Sequence, residues 1–424
     1  MIRRRRVAIT GLGFITSIGN DGPSVDESLR GLRNGIERSD IAPGREVSVK
    51  VAGTIKGFDV SSPYWSKWTW PARYAFAPTV LRSLAPHCLY GLCAAEQAIA
   101  DANLAAEDIS DENTALYSAS GGSPYFMRHF LNVMHASKNM RGPATGVVSC
   151  VNGTLNFNLG TYLKIRGGNC GFASACASSS HAIGFGCDEI AQGRFERVLV
   201  VGAEDLNTDS VVPFVSMHAL SECADPELAS RPFDRERDGF VSSGGAAAMV
   251  LESEEEALRR GAQPYAEVLG WGQSSDGYRV AQPDPDGAGL KRAMERALRS
   301  CGIGPAGVGY VNAHATSTPQ GDRAEGLALK ALFAESGAAP RVSSTKGITG
   351  HPLSMAGVME AGFCALALRG SYIPGNAHLR EPGPEFEGLD LLRATIAEPP
   401  GVILSNSAGF GGSNVVLALS PWPR

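Results

Sequence analysis

NCGFASAC (169–176), ASSSHAIGFGCDEIAQG (177–193) and RVLVVGAED (197–205) decide how the chain is read. The first is a short strand, the second a helix, the third a continuous apolar strand. A strand apolar along its whole length is buried on both faces, so the run is a β-α-β unit inside a helix-covered sheet. Cys176 stands where strand turns into helix, on a tight bend. There the amides and dipole of the following helix favour thiolate over thiol. Among small residues such as Ala175, Ala177 and Ser178 a cysteine is nevertheless more often a buried structural thiol, so the elbow alone does not make a nucleophile.

The same alternation extends in both directions. VAIT (7–10) is a strand running into Gly11 and Gly13, a polar helix follows at 24–35, and a strand is expected within 45–58. Residues 78–103 read as one long helix with small residues on one face. ALYSASGG (115–122), AAAMVLES (246–253), VGYVNAH (308–314), RVSST (341–345) and GVILSNSAGFGG (401–412) are further strands, with helices at 289–302, 321–335 and 357–369 between the later ones. Two similar stretches of α/β alternation result, 1–255 and 256–424, without the sequence identity that would prove a repeat. No low-complexity linker separates them, so they pack as one body.

Composition narrows the function. The chain has 424 residues, 43% hydrophobic and 19% charged, which excludes disordered and fibrous classes. With 38 Lys plus Arg against 43 Asp plus Glu, nothing draws it to nucleic acid or to an anionic membrane, and the basic run at 3–6 reads as a solvated edge. No window reaches the ~20 apolar residues of a membrane span. VAITGLGFITSIG is strand and turn, not the core of a signal peptide. The nine cysteines form no CxxC pair, and a reduced, cytoplasmic setting is expected. Trp65, Trp68 and Trp70 crowd into six residues and are expected under a neighbouring element or in a subunit contact.

Two of the eight histidines follow predicted strands: His314 in YVNAHATSTPQGD and His351 in SSTKGITGHPLSMAG. The ends of strands are where α/β folds place ligands and catalytic groups. A zinc site is the weaker reading of Cys176, His314 and His351, because their separations match no metal spacing. GFGGSN (409–414) is glycine-rich but has neither the GxGxxG nor the P-loop form; it suits a backbone that must approach a reacting carbonyl.

With SACASSSHAIG, SRPFDRERDGFV (230–241), VNAHATSTPQGD, SSTKGITGH and the GFGG loop in hand, the chain resembles the β-ketoacyl-acyl-carrier-protein synthases over nearly its whole length. It looks closest to the synthase I type. The resemblance implies a thiolase-like α/β fold: two similar halves, each with a mixed five-stranded sheet, packed in an α-β-α-β-α core. It implies Cys176 as acyl-accepting nucleophile, with His314 and His351 completing a Cys-His-His triad that Lys346 and Glu325 support. Phe410 would be the gate, its amide joining that of Cys176 in the oxyanion hole. The implied reaction is a decarboxylative Claisen condensation with malonyl-acyl-carrier protein. Substrates come on the carrier's phosphopantetheine, and no cofactor or metal takes part. The implied partners are an acyl-carrier protein and a second copy of the chain, or else a related subunit. A family member that decarboxylates or sets chain length without elongating, and a non-catalytic scaffold, are the alternatives.

Departures from the family pattern mark this chain. Ala315 follows the first histidine where glycine is usual, and Ser354-Met355 replace a usual Gly-Ala. Ala281-Gln282 alter a loop that usually carries threonine, and Ala408 stands where most relatives carry phenylalanine. Ala408 and Met355 are therefore expected beside the acyl channel, one compensating the other or both reshaping it for a bulky chain.

Overall fold

The computed structural model describes residues 5–44 and 46–423; Arg3 and Arg4 of the basic run lie outside them. Thirteen strands are described: β1 (Val7–Ile15), β2 (Ile36–Arg38), β3 (Val51–Gly53), β4 (Thr114–Ala119), β5 (Asn169–Phe172), β6 (Arg197–Glu204), β7 (Gly245–Ser253), β8 (Ala266–Ser275), β9 (Val308–Asn312), β10 (Arg341–Ser343), β11 (Asp390–Leu391), β12 (Val402–Gly409) and β13 (Ser413–Pro421). Apart from the β2–β3 ribbon they follow the order β11-β10-β9-β12-β13-β8-β1-β7-β6-β4-β5. Five strands belong to the first half (β5-β4-β6-β7-β1) and five to the second (β8-β13-β12-β9-β10), with two-residue β11 on the outer edge. A two-residue pairing of β1 with β8 (Ala8↔Glu267, Ile9↔Ala266) joins the two sets into one mixed sheet.

Five layers result. Helices Ser178–Ala191 and Ala356–Gly370 lie in the middle, each touching strands of both halves. Pro86–Asp101 covers the first half from outside; Ala288–Cys301 and Pro319–Phe333 cover the second. Three apolar clusters fill the spaces: one around the middle helices, one under each outer cover. The halves meet their outer helices in the same way. A Cβ on Gly13 would lie 1.9 Å from the Ala94 carbonyl oxygen, and one on Gly272 would lie 2.3 Å from that of Ala293. In each half glycine lets the first long strand lie directly on the helix backbone.

Two expectations are corrected, the single long helix and the extent of the strand within 45–58, and the tryptophans take the first of their two expected places. The single helix over 78–103 is broken at Pro86, which lacks an amide hydrogen and forces Ala85 into extended backbone (φ −106°, ψ 169°). Of 45–58 only β3 forms a strand. The tryptophans are spent within the chain: Trp68 is buried and its indole donates to the Ser62 carbonyl (2.6 Å), that of Trp70 to the Tyr74 carbonyl (2.9 Å). Among the described residues one helical segment, Leu353–Gly370 (helix Ala356–Gly370 with the turn before it), is long and apolar enough to cross a membrane, but 83% of it is buried inside the protein.

Candidate active site

The elbow forms as strand β5 leaves the sheet. Ala175 takes φ +50°, a left-handed value that costs a non-glycine residue ~1 kcal/mol or more and persists only under constraint. Ser178 supplies that constraint: its hydroxyl accepts from the Ser174 amide (2.8 Å) and donates to the Ala175 carbonyl (2.6 Å). Gly409, at the end of β12, closes on the same turn. A Cβ there would come within 2.6 Å of the Ser174 carbonyl oxygen and 3.1 Å of the Cys176 nitrogen. The next residue, Phe410, is 40% exposed, its ring 6.1 Å from that of Phe214.

His314 follows β9, and Glu325 holds its turn. One carboxylate oxygen accepts the His314 amide (3.0 Å) and the Asn406 side chain (2.9 Å); the other accepts the Ala315 amide (2.7 Å). Asp322, also on helix Pro319–Phe333, accepts the amides of Phe233 (2.9 Å) and Ser317 (3.1 Å), which ties the SRPFDRERDGFV segment to the same turn. His351 follows the short helix Lys346–Thr349 and is fixed by its backbone, its amide donating to the Val241 carbonyl (2.7 Å). The three side chains converge. Cys176 Sγ lies 3.0 Å from His351 Nε2, the two imidazole rings stand at 84° with centroids 5.2 Å apart, and the candidate ligand atoms of Cys176, His314 and His351 all lie within 4.8 Å. A cavity of about 390 Å³ opens onto all three.

Electrostatics set the resting protonation. Burial, with lesser pressure from Glu204, pushes the Cys176 thiol up to about 12, while Lys346 pulls it back. Burial first, then the nearby Lys346 ammonium, holds both imidazoles well below the ordinary histidine range. The site therefore rests as a thiol beside two neutral imidazoles. Desolvation thus works against the pull toward thiolate exerted by the amides and dipole of the following helix. Such a trio could also hold a soft divalent metal, since a thiolate and two imidazoles are a zinc donor set.

Lys346 does not reach into the cavity. It is fully buried and ion-paired with Glu360 of helix Ala356–Gly370. Glu360 escaped the sequence reading, although it is the one carboxylate in an otherwise apolar helix, and that was the available signal. Glu204 was also missed. At the end of β6 it accepts the Gly121 amide (3.0 Å), the Ser354 amide (3.1 Å) and the Ser354 hydroxyl, so Glu204 ties the turn after β4 to the segment after His351.

The other departures separate. Ala281, Gln282 and Ala408 line the cavity. Ala315 is buried among the apolar residues of the second half's outer core. Met355 is fully buried in the middle-layer core and forms no part of the cavity wall. Its expected place beside the channel, and any compensation of Ala408, are corrected: the two lie in different layers.

Comparison with known proteins agrees with this geometry. The beta-ketoacyl synthase N-terminal domain model matches residues 4–257 and the C-terminal domain model residues 265–380. The chain is 34% identical to 3-oxoacyl-[acyl-carrier-protein] synthase 1 of Escherichia coli K12, covering 98% of both. It is 36% identical to synthase 2 of Vibrio cholerae, covering 97% of this chain and 98% of that one. These values do not single out the synthase I type. Among solved structures, a beta-ketoacyl synthase from Burkholderia phymatum superposes with a TM-score of 0.90 at 32% identity, over 99% of this chain and 100% of that one. The ishigamide ketosynthase/chain length factor superposes at 0.88 with 27% identity, over the same shares. Matched by family models over residues 4–257 and 265–380, and built around a cysteine and two histidines that converge on one cavity, the chain belongs to the β-ketoacyl synthase family.

Proposed function

We propose that the chain is a 3-oxoacyl-acyl-carrier-protein synthase, condensing an acyl group held on Cys176 with malonyl-acyl-carrier protein. The observation that carries this reading is the 3.0 Å contact between Cys176 Sγ and His351 Nε2, with His314 facing the same cavity. In the first half-reaction the Cys176 sulfur attacks the thioester carbonyl of the acyl carrier. The thiol proton passes to His351 Nε2 and on to the departing phosphopantetheine sulfur. The amides of Cys176 and Phe410 serve the developing oxyanion.

In the second half-reaction the malonyl carboxylate leaves as CO2, and its bonding electrons form an enolate. Neutral imidazoles can donate from Nε2 to the enolate oxygen, yet offer the departing carboxylate no cation to pair with. The α-carbon then attacks the acyl-cysteine, the C–S bond breaks, and a proton returns the sulfur to a thiol. His351 needs a bare Nε2 in the first half and a protonated one in the second. Its Nδ1 makes no hydrogen bond to any described residue, so no protein contact locks either tautomer.

The chain's own side chains carry these steps without a resident cofactor, and substrates arrive on a carrier's phosphopantetheine. The setting is the cytoplasm, where carrier and thiol remain available. The test is intact-protein mass after mixing with a panel of acyl-carrier thioesters, then CO2 release and 3-ketoacyl product on adding malonyl-acyl-carrier protein. Acylation of Cys176 followed by product two carbons longer supports the proposal. Absence of acyl-enzyme with every thioester overturns it.

A further inference from the structure

The face of β12 on which Ala408 lies decides which substrate it meets. Side chains alternate along a strand. Ser407 Oγ lies 2.8 Å from Ser180 Oγ, so odd positions near the end of β12 face the middle layer and the nucleophile's helix. Asn406 Nδ2 donates to Glu325 and reaches Met294 Sδ at 3.7 Å, so even positions face the outer helices Ala288–Cys301 and Pro319–Phe333. Ala408 shares the Asn406 face. Leu290 and Ala324, buried residues of those same helices, line the cavity together with Ala408. Neighbouring parallel strands place His314 alongside, since Asn312 pairs with Ser405, and His314 and Ala408 lie two and three residues beyond them. The space left by a methyl at 408 opens, on the side away from the middle layer, into the cavity that His314 also lines.

This floor is apolar in effect. Both oxygens of Glu325 are occupied by His314, Ala315 and Asn406, and the Asn414 amide is held by Asp276 (2.7 Å). Among these groups Asn406 Oδ1 alone is without a hydrogen-bond partner among the described residues, so a polar substituent would find at most one acceptor, whereas an alkyl group would lie against methyl and methylene surface.

Resting on the condensing function above, we propose that this pocket receives the α-substituent of a 2-alkylmalonyl thioester, making the chain a condensing enzyme for branched extender units. The step balances as it does for malonyl. The C–CO2 bond breaks and CO2 leaves, the substituted α-carbon bonds to the acyl carbonyl, and the C–S bond to Cys176 breaks. One proton restores the thiol, and the product is a 2-alkyl-3-ketoacyl thioester.

The test uses full-length protein already acylated on Cys176, offered malonyl-, methylmalonyl- and ethylmalonyl-carrier thioesters in competition, with products weighed by mass spectrometry. The wild type should use the branched units within about tenfold of malonyl. Ala408→Phe should lower the branched-to-malonyl ratio at least tenfold, and Ala408→Val, a smaller change that avoids overfilling the floor, should lower it by less. Exclusive use of malonyl by the wild type, or a ratio unmoved in both variants, overturns the proposal. Failure to acylate Cys176 at all would instead overturn the condensing function, and it is recorded before any extender is added.

Discussion

Burial pushes the Cys176 thiol up to about 12, against the pull of the Lys346 ammonium. Because the protonated form is the favoured one, the thiolate fraction is small at neutral pH and grows with pH well beyond the ordinary thiol range. Alkylation of Cys176 should therefore accelerate about tenfold per pH unit from 7 to 10, without the plateau near 8.5–9 of a free thiol. Removing the ammonium in Lys346→Met should slow alkylation further. A plateau below pH 8 would show that the sulfur rests as thiolate after all. Cys176→Ala should abolish acyl transfer and condensation while leaving the melting curve in place, since one small side chain replaces another. The histidines should divide. His314→Ala should cost malonyl decarboxylation on the order of 3 kcal/mol, ~100-fold in rate, and spare acyl loading. His351→Ala should slow both half-reactions, because His351 alone contacts the thiol. Equal loss of loading in the two variants would refute this division.

Elements explain why some of this was legible and some was not. Cys176 and His314 follow strands, His351 follows the short helix after β10, and each shows in sequence as an apolar run meeting a short polar turn. The structure brings those three into one cavity. The partners that hold them come from elsewhere in the chain: Glu325 acts through backbone amides, Glu204 bridges Gly121 and Ser354, and Glu360 lies inside an apolar helix. Such contacts depend on how helices and strands stack, which no local pattern encodes. Ala408 and Met355 show the same limit. Their positions were noticed, but only the alternation of β12 assigns Ala408 to the outer-helix face, and only packing puts Met355 in the middle-layer core. The buried Lys346–Glu360 pair gives this scale its own prediction. Glu360→Ala would strand a buried ammonium and should destabilise the protein by ~3–5 kcal/mol. The Lys346→Met, Glu360→Met double variant should recover most of that loss in a melting experiment, because it removes both charges together. A single variant as stable as the wild type would mean that Lys346 finds another partner or reaches water.

One end of the long sheet is an open edge. Strand β5 pairs only with β4, and its residues Asn169, Cys170 and Gly171 are exposed. An unpaired edge strand is a template for another chain unless charge, proline or a covering element blunts it, and Asn169–Phe172 contains no charge or proline. Exposed apolar side chains occur in the neighbouring segments of sequence: Phe157 at 52%, Val148 at 49%, Met140 at 53% and Phe185 at 39%. A hollow lined by Asn156, Phe157, Gly171 and Phe172 lies along the same edge. The tryptophans, already packed within the chain, no longer argue for an interface, so the case rests on β5 and this surface. A second copy could continue the sheet across a twofold axis, as isologous contacts require. Sedimentation of the dilute protein should give a species of twice 44.5 kDa, about 89 kDa. Phe157→Glu places a charge in the apolar surface and should shift the protein toward 44.5 kDa, while Leu258→Glu, an equally exposed change on the helix after β7, should not. A wild type that sediments at 44.5 kDa at micromolar concentration would refute self-association. Recovery of a distinct ketosynthase-like chain in equal amount, when both are expressed together, would assign the edge to a heterodimer instead.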